Sequence, residues 1–300
     1  MIIMDTKQVI ESASEYLYQL PGHIFNVLTI SKPKSVEAVI NLTKIISKLS
    51  PLVGNLIEFN IVEFLNQFPE FSERGTWKRQ DPGFPDTVFE GAIWPVPGFE
   101  IKAWFPLSTE ITARFKDSQN HFIDDNIYVA MLAWLPEHVI YGSPKIIDIV
   151  IVPGGSVAKA RDDHYHNPPD YLVLEPEDTS SRTRNLQQTN TNGYKFQGSK
   201  SELKEAIAIV ESWGKDGKRY KPTPEYQNQL RTLQKRFTYR LDTNYAKMDR
   251  IVHPQIEDFK TRVLSTSFEG LTIQQWAKFL FKGTEDAKRD VIERYLKIRQ

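Results

Sequence analysis

The chain contains no cysteine, which excludes disulfides and thiolate metal sites and fits a reducing cytoplasm, the location expected for it. Net charge is also lacking, since 38 basic residues balance 38 acidic ones. A sequence-blind coat for nucleic acid would be basic, so that class is disfavoured. An enzyme acting on DNA stays open, because acids can gather at one site while lysines and arginines line a cleft. No uninterrupted apolar run approaches the roughly 20 residues of a membrane span. The opening MIIMDTKQVIESAS has no basic segment followed by a long apolar core, so no signal peptide and no membrane partner are expected. The six histidines show no HExxH spacing, and neither a GxxxxGK[ST] phosphate loop nor a GxSxG elbow occurs. Internal repeats and long linkers are absent too. The three hundred residues therefore read as one domain, 1–300, with an ordinary share of apolar (40%) and charged (25%) residues and ample core.

What is present centres on PDTVFEGAIWPVPGFEIK, Pro85 to Lys102. Thr87-Val88-Phe89 reads as one short strand and Phe99 to Phe105 as a second, with Pro95, Pro97 and Gly98 marking a turn between them. Alternation along a strand puts Glu100 and Lys102 on one face and Ile101 on the other. If the two runs pair as a hairpin, Asp86 comes near that face. Two carboxylates form a hard oxygen site suited to Mg²⁺, and a lysine beside them can orient a water and offset charge on a phosphate. An acid two residues before a lysine recurs at Asp5, Glu202, Asp216, Asp258 and Asp286, so the spacing alone is weak. A rival pair, Pro169-Asp170 with Glu202-Leu203-Lys204, fails on context. Ser199, Ser201 and ELKEAIAIVES read as a capped helix, on which Glu202 and Lys204 point about 200° apart. The plain alternative for the first pair is an edge strand with one solvated face.

The set Pro85, Asp86, Glu100 and Lys102 resembles the PD-(D/E)XK nucleases, the family of most type II restriction endonucleases. The flanking RQDPGFPD and FEIKAWFPLSTEITARFKDSQ have the look of restriction enzymes as well. The resemblance implies an α/β restriction-endonuclease-like fold, a mixed β-sheet flanked by helices, with extra N- and C-terminal helices. It implies Mg²⁺-dependent hydrolysis of double-stranded DNA to 5′-phosphate and 3′-hydroxyl ends, with Asp86, Glu100 and Lys102 catalytic. A homodimer is implied, since a two-fold protein suits a palindromic site, and a methyltransferase acting on the same site is a possible companion. It also makes Glu58, on an element just before the Pro-Asp strand, a candidate supporting acid for the metal, with Glu63 behind it. A mismatch-type nicking nuclease or a junction resolvase on the same fold is the enzymatic alternative. A non-catalytic DNA-binding protein is the alternative of another class.

The rest of the chain is read around that core, taken as 51–176. Apolar spacing predicts helices over 5–20 and 34–49, an N-terminal layer within residues 1–50 whose alternative role is a dimerisation surface. Pro51 is read as opening a third helix. The segment 70–83 reads as a polar loop in which Arg74, Lys78 and Arg79 surround Trp77, a mixture suited to phosphate contact and stacking. A short helix capped at Ser108 or Thr109 and ending near Gln119 carries Arg114 and Gln119 as further DNA contacts. YVAMLAWL at 128–135 and KIIDIVIV at 145–152 read as buried strands, and Tyr171–Leu174 as one more. Asp162, Asp163, His164 and His166 read as a solvated loop cluster rather than a transition-metal site. Residues 177–300 hold a recognition loop and C-terminal helices. Within 177–197, Arg182, Arg184, Gln187, Gln188, Asn190 and Asn192 are side chains of the kinds that read base edges, although such a stretch also suits a disordered polar loop. Helices are expected over 201–213, 224–250, 272–281 and 285–298, the second with a net charge of +3 that could follow a duplex backbone.

Overall fold

The computed structural model describes residues 5–81, 83–107, 122, 125–165, 167–174, 192–219, 221, 223–242 and 252–298. Five strands form the main sheet in chain order: β1 (Gly75–Arg79), β2 (Thr87–Gly91), β3 (Gly98–Trp104), β4 (Ile127–His138) and β5 (Tyr141–Pro153). The β3–β4 pair is parallel and the others are antiparallel, so the sheet is mixed. The chain is thus α/β, with helices packed on the sheet. Strand β4 is buried almost throughout, as its unbroken apolar run requires of a strand covered on both faces.

Two helices precede the sheet. Helix α1 (Thr6–Leu17) begins in a capping box, Asp5 and Gln8 each satisfying the other's backbone N–H. Helix α2 (Val36–Leu65) starts from Ser35 and runs unbroken through Pro51. The break expected at Pro51 is therefore corrected. A proline inside a helix removes one hydrogen bond and costs about 3 kcal/mol. Val53, Ile57, Ile61 and Leu65 are fully buried beyond it. At about 1.5–3 kcal/mol for each buried aliphatic side chain, that packing outweighs the lost bond. Helix α2 is also long and apolar enough to cross a membrane by length and composition, against the expectation from uninterrupted runs, although its inner side is packed in the core.

The expected loop at 70–83 is also corrected. A single turn, α3 (Pro69–Ser72), leads into strand β1, and Trp77 points inward at 1% exposure. Its ring centroid lies 5.7 Å from Phe71, 5.3 Å from Phe89 and 5.5 Å from Phe99. Trp77 thus joins β1, β2 and β3 and offers no surface for stacking on a base.

Helix α4 (Gly154–Tyr165) follows β5 directly, so the 162–166 cluster expected in a loop begins on a helix. Strand β6 (Tyr171–Leu174) pairs with β7 (Asn192–Phe196), which pairs with β8 (Tyr239–Asp242), so it belongs to a separate three-stranded sheet. Helices α5 (Lys200–Ser212) and α6 (Pro224–Arg236) build two small clusters of their own against this sheet, around Val210, Leu233 and Phe237 and around Leu172, Tyr226 and Leu230. The long helix expected over 224–250 ends at Arg236, because Phe237 turns extended to fill the first cluster and Tyr239 begins β8. Helices α7 (Pro254–Ser265), α8 (Ile273–Trp276, continuing to Phe281) and α9 (Glu285–Val291, continuing to Leu296) return to the main core, with the short ribbon β9 (Ser267–Phe268) and β10 (Leu271–Thr272) before α8.

Candidate active site

The β2–β3 ladder is short, Thr87 facing Phe99 and Val88 facing Gly98. Strand β3 continues beyond it, held on its other side by β4. On the free side, the Asp86 carboxylate takes the place of a strand partner, its Oδ2 accepting the Ile101 backbone N–H at 2.7 Å. Gln80 fixes the corner carrying Asp86: its side-chain amide donates to the Pro85 carbonyl at 3.1 Å and its backbone N–H to the Asp86 carbonyl at 2.8 Å. The sequence offered no sign of this role for Gln80, because 70–83 read as a loop rather than as a strand alongside β2.

Alternation along β3 sets Phe99, Ile101 and Ala103 on one face and Glu100, Lys102 and Trp104 on the other. Helix α2 covers the first face, where Gly54 approaches Ala103 so closely that a Cβ there would lie 3.7 Å from the alanine methyl. On the second face Trp104 meets Phe259 of α7, ring centroids 5.8 Å apart. Glu100 and Lys102 share that second face, as expected.

The Lys102 ammonium sits between the two acids, 2.6 Å from Glu100 Oε1 and 3.2 Å from Asp86 Oδ2. It donates a third bond to the Ile101 carbonyl at 3.0 Å, so each of its three protons has an acceptor. Burial works against this ammonium, but the Glu100 and Asp86 carboxylates more than offset it and hold its pKa above the ordinary lysine value. Glu100 is only 4% exposed. Burial raises its pKa to about 7, aided by Asp86 and Glu58 and opposed by the Lys102 ammonium. Its second oxygen, Oε2, is buried without a hydrogen-bond partner among the described residues. A buried carboxylate oxygen left without a donor is costly, on the order of 1–3 kcal/mol, and marks a place where a cation or proton is wanted.

Glu58 reaches the cluster electrostatically rather than by contact. Burial, then the nearby Asp86 charge, raises its pKa, while Lys102 and Arg79 oppose the rise. Its hydrogen bond is to the Arg79 guanidinium at 3.3 Å, which also donates to Asp81 at 2.7 Å. Arg79, expected as a DNA contact, is therefore already engaged by two carboxylates.

Of the other expected DNA contacts, Arg114, Gln119, Arg182, Arg184, Gln187, Gln188 and Asn190 lie outside the described residues, and so does the helix expected to end near Gln119. Asn192 opens β7 and is paired in register with Leu174. Asp163 is exposed on α4 in an ion pair with Lys159, His164 is exposed beside it, and His166 lies outside the described residues. The rejected Glu202 is an exposed member of the Ser199 capping box, its pKa lowered by the Ser199 backbone and hydroxyl.

Among the described residues, no three His, Asp or Glu side chains are gathered into a ready-made metal site. What converges is a pair of acids with an ammonium between them and an unpartnered buried oxygen on Glu100. That donor set is all oxygen and anionic, which suits a hard divalent cation such as Mg²⁺. A cation taking both carboxylates would share them with the Lys102 ammonium. Comparison with family models, curated proteins and solved structures finds no match to this chain.

Proposed function

We propose that Asp86, Glu100 and Lys102 are the active site of a Mg²⁺-dependent endonuclease of restriction-enzyme type, which hydrolyses phosphodiesters of double-stranded DNA to 5′-phosphate and 3′-hydroxyl ends. The observation that carries this reading is the convergence of an acid from the β2 corner with an acid and a lysine from β3, around a buried carboxylate oxygen that has no donor. Perturbed ionisable groups concentrated at one point are a mark of functional sites. Asp86 and Glu100 would hold the cation, with Glu58 in support. Mg²⁺, when bound, supplies positive charge against the phosphate oxygens.

Asp86 contributes a carboxylate fixed by the Ile101 N–H, so its free lone pairs keep one direction. Glu100 contributes a second carboxylate that must lose its proton to serve. Lys102 contributes an ammonium that holds a water in line and offsets charge in the transition state. For that it exchanges one of its three internal bonds, the neutral Ile101 carbonyl being the weakest acceptor of the three.

A second reading rests on those same three bonds. A lysine satisfied entirely within the chain also describes an internal ion-pair network that only joins β2 to β3, in a protein that binds DNA without cutting it or has another role. Supercoiled plasmid incubated with the chain and Mg²⁺ separates the two. Linear product with mappable ends, lost in Asp86→Ala and Glu100→Ala and kept in Glu202→Ala, supports the nuclease. Nicked circles alone favour the nicking alternative on the same site. Intact plasmid with every variant sinks the catalytic reading.

A further inference from the structure

Arg79 stands beside the corner that carries Asp86, since its partner across the β1–β2 ladder is Thr87, the next residue. It shares the strand face of Trp77, the side on which α2 packs, and there it meets Glu58. Its side chain is 28% exposed and that of Glu58 18%. The guanidinium is unevenly used. Nη1 donates to Asp81 at 2.7 Å, within the range of about 2.7–2.9 Å for a strong charge-assisted bond. Nη2 donates to Glu58 at 3.3 Å, well outside that range. Nε is buried and has no acceptor among the described residues. Nε and Nη2 form one edge of the guanidinium, a fork that takes two oxygens of a carboxylate or phosphate at once. That edge holds one long bond where it has room for two short ones.

Glu58 is placed between two demands. It feels the charges of Asp86 and Lys102, and Glu100 feels its charge in turn, yet its hydrogen bond goes to Arg79. A guanidinium held beside Glu58 offsets negative charge that a cation at the neighbouring acids would otherwise use.

We propose that Arg79 is a latch on Glu58, released by a phosphate of the DNA backbone. The Arg79 side chain is partly exposed, and a small outward movement uncovers its Nε–Nη2 edge. Two phosphate oxygens on that edge satisfy Nε and replace the long bond to Glu58. Asp81 keeps Nη1, so the guanidinium stays near its place. Glu58, once released, changes rotamer toward Asp86 and Glu100 and adds a third carboxylate around the cation. Tight cation binding is then tied to the presence of a duplex. Arg79 acts here through Glu58 and takes no part in the bond that is broken. This inference rests on the nuclease reading above and adds to it an order, substrate first and tight cation second.

The test measures the affinity of the full chain for Ca²⁺ by calorimetry. Plasmid digestion with Mg²⁺ first checks the nuclease reading by itself and maps a cut site. Ca²⁺ is then titrated with and without a 30-base-pair duplex centred on that site, a length of about three helical turns. Glu58→Gln is expected to weaken Ca²⁺ binding about tenfold with the duplex bound, and by no more than about twofold without it, an ordinary size for coupling between two sites. Arg79→Met is expected to bind Ca²⁺ several-fold more tightly than the wild type when no DNA is present. That gain should vanish in Arg79→Met/Glu58→Gln. A purely structural Arg79–Glu58 pair would move the urea midpoint and leave all these affinities alone. Should Arg79→Met fail to fold, Glu58→Gln decides the matter. Equal loss in Glu58→Gln with and without duplex, or no loss in either, overturns the latch while wild-type cleavage leaves the nuclease reading standing. So does a folded Arg79→Met with unchanged Ca²⁺ affinity. A plasmid left intact by the wild type removes the nuclease reading, and the latch falls with it.

Discussion

One oxygen of Asp86 does two jobs: Oδ2 accepts the Ile101 backbone N–H at 2.7 Å and the Lys102 ammonium at 3.2 Å. The first bond is structural and needs only an acceptor. The second is electrostatic and needs a charge. The two can therefore be separated by mutation.

Asp86→Asn keeps an acceptor for the Ile101 N–H but removes the charge. It is expected to fold with a stability loss near ~1 kcal/mol and to lose cleavage. Asp86→Ala removes both, and leaving the buried N–H and ammonium short of an acceptor is expected to cost about 1–3 kcal/mol more. Urea denaturation together with plasmid digestion reads both outcomes. Wild-type cleavage by Asp86→Asn would remove this residue from the site.

Lys102 is tested by shape as well as charge. Lys102→Arg keeps the charge in a planar, bulkier group that does not fit the space between two acids and a carbonyl. Both Lys102→Arg and Lys102→Met are expected to lose about 10²–10³ in cleavage rate, the scale for one transition-state donor. Both should still bind DNA in Ca²⁺. Breaking a buried pair by removing one partner costs about 3–5 kcal/mol. For Lys102→Met that loss should shrink at acid pH, where Glu100 takes up a proton. Cleavage by Lys102→Met within a few-fold of wild type would leave the lysine as a structural charge.

Glu100 sets a pH dependence. Its pKa is raised to about 7, and the carboxylate form is the one that can hold a cation. Cleavage at limiting Mg²⁺ is therefore expected to rise about tenfold per pH unit below that value and to level off above it. The stability effect has the opposite sign. A carboxyl whose folded pKa exceeds its unfolded one stabilises the fold fully below the unfolded value, and that stabilisation is lost as pH rises through the folded pKa. The window is thus from the ordinary glutamate pKa up to about 7. Relative to wild type, Glu100→Gln should gain stability between pH 5 and pH 8. A pH-independent difference in denaturation midpoint would show that Glu100 does not titrate in this range.

Glu58 and Arg79 form a pair whose removal discriminates support from contact. Glu58→Gln is expected to lower cleavage about tenfold while sparing DNA binding, as for a group acting on the site through its charge. Arg79→Met frees the Glu58 charge beside Asp86 and is expected to raise the pH at which cleavage levels off. If Arg79→Met instead weakens DNA binding with an unchanged pH profile, its role is contact with the phosphate backbone.

Much of the local structure was legible in the residues. The two short strands β2 and β3 with a bend at Pro95 between them, the buried run of β4 and the Ser199 cap follow from alternation, turn chemistry and capping, all properties of neighbours in the chain, although β3 starts one residue early, at Gly98. The face shared by Glu100 and Lys102 was equally readable, because a strand alternates whatever lies around it. Where neighbours and distant partners disagreed, the distant partners won. Pro51 signals a break, but burial of the following turns against the sheet keeps α2 continuous. Trp77 sits among basic residues, and only the aromatic cluster formed by Phe71, Phe89 and Phe99 turns it inward. Phe237 ends α6 because a cluster contributed by α5 and β8 needs its ring. Tertiary structure alone decided that β2 leaves β3 after two residue pairs, which lets Asp86 reach the Ile101 N–H and brings the second acid to the ammonium. It also left one apolar face of α2 in solvent. A residue's periodicity is set by its own chain, but which face is covered depends on elements far away in sequence.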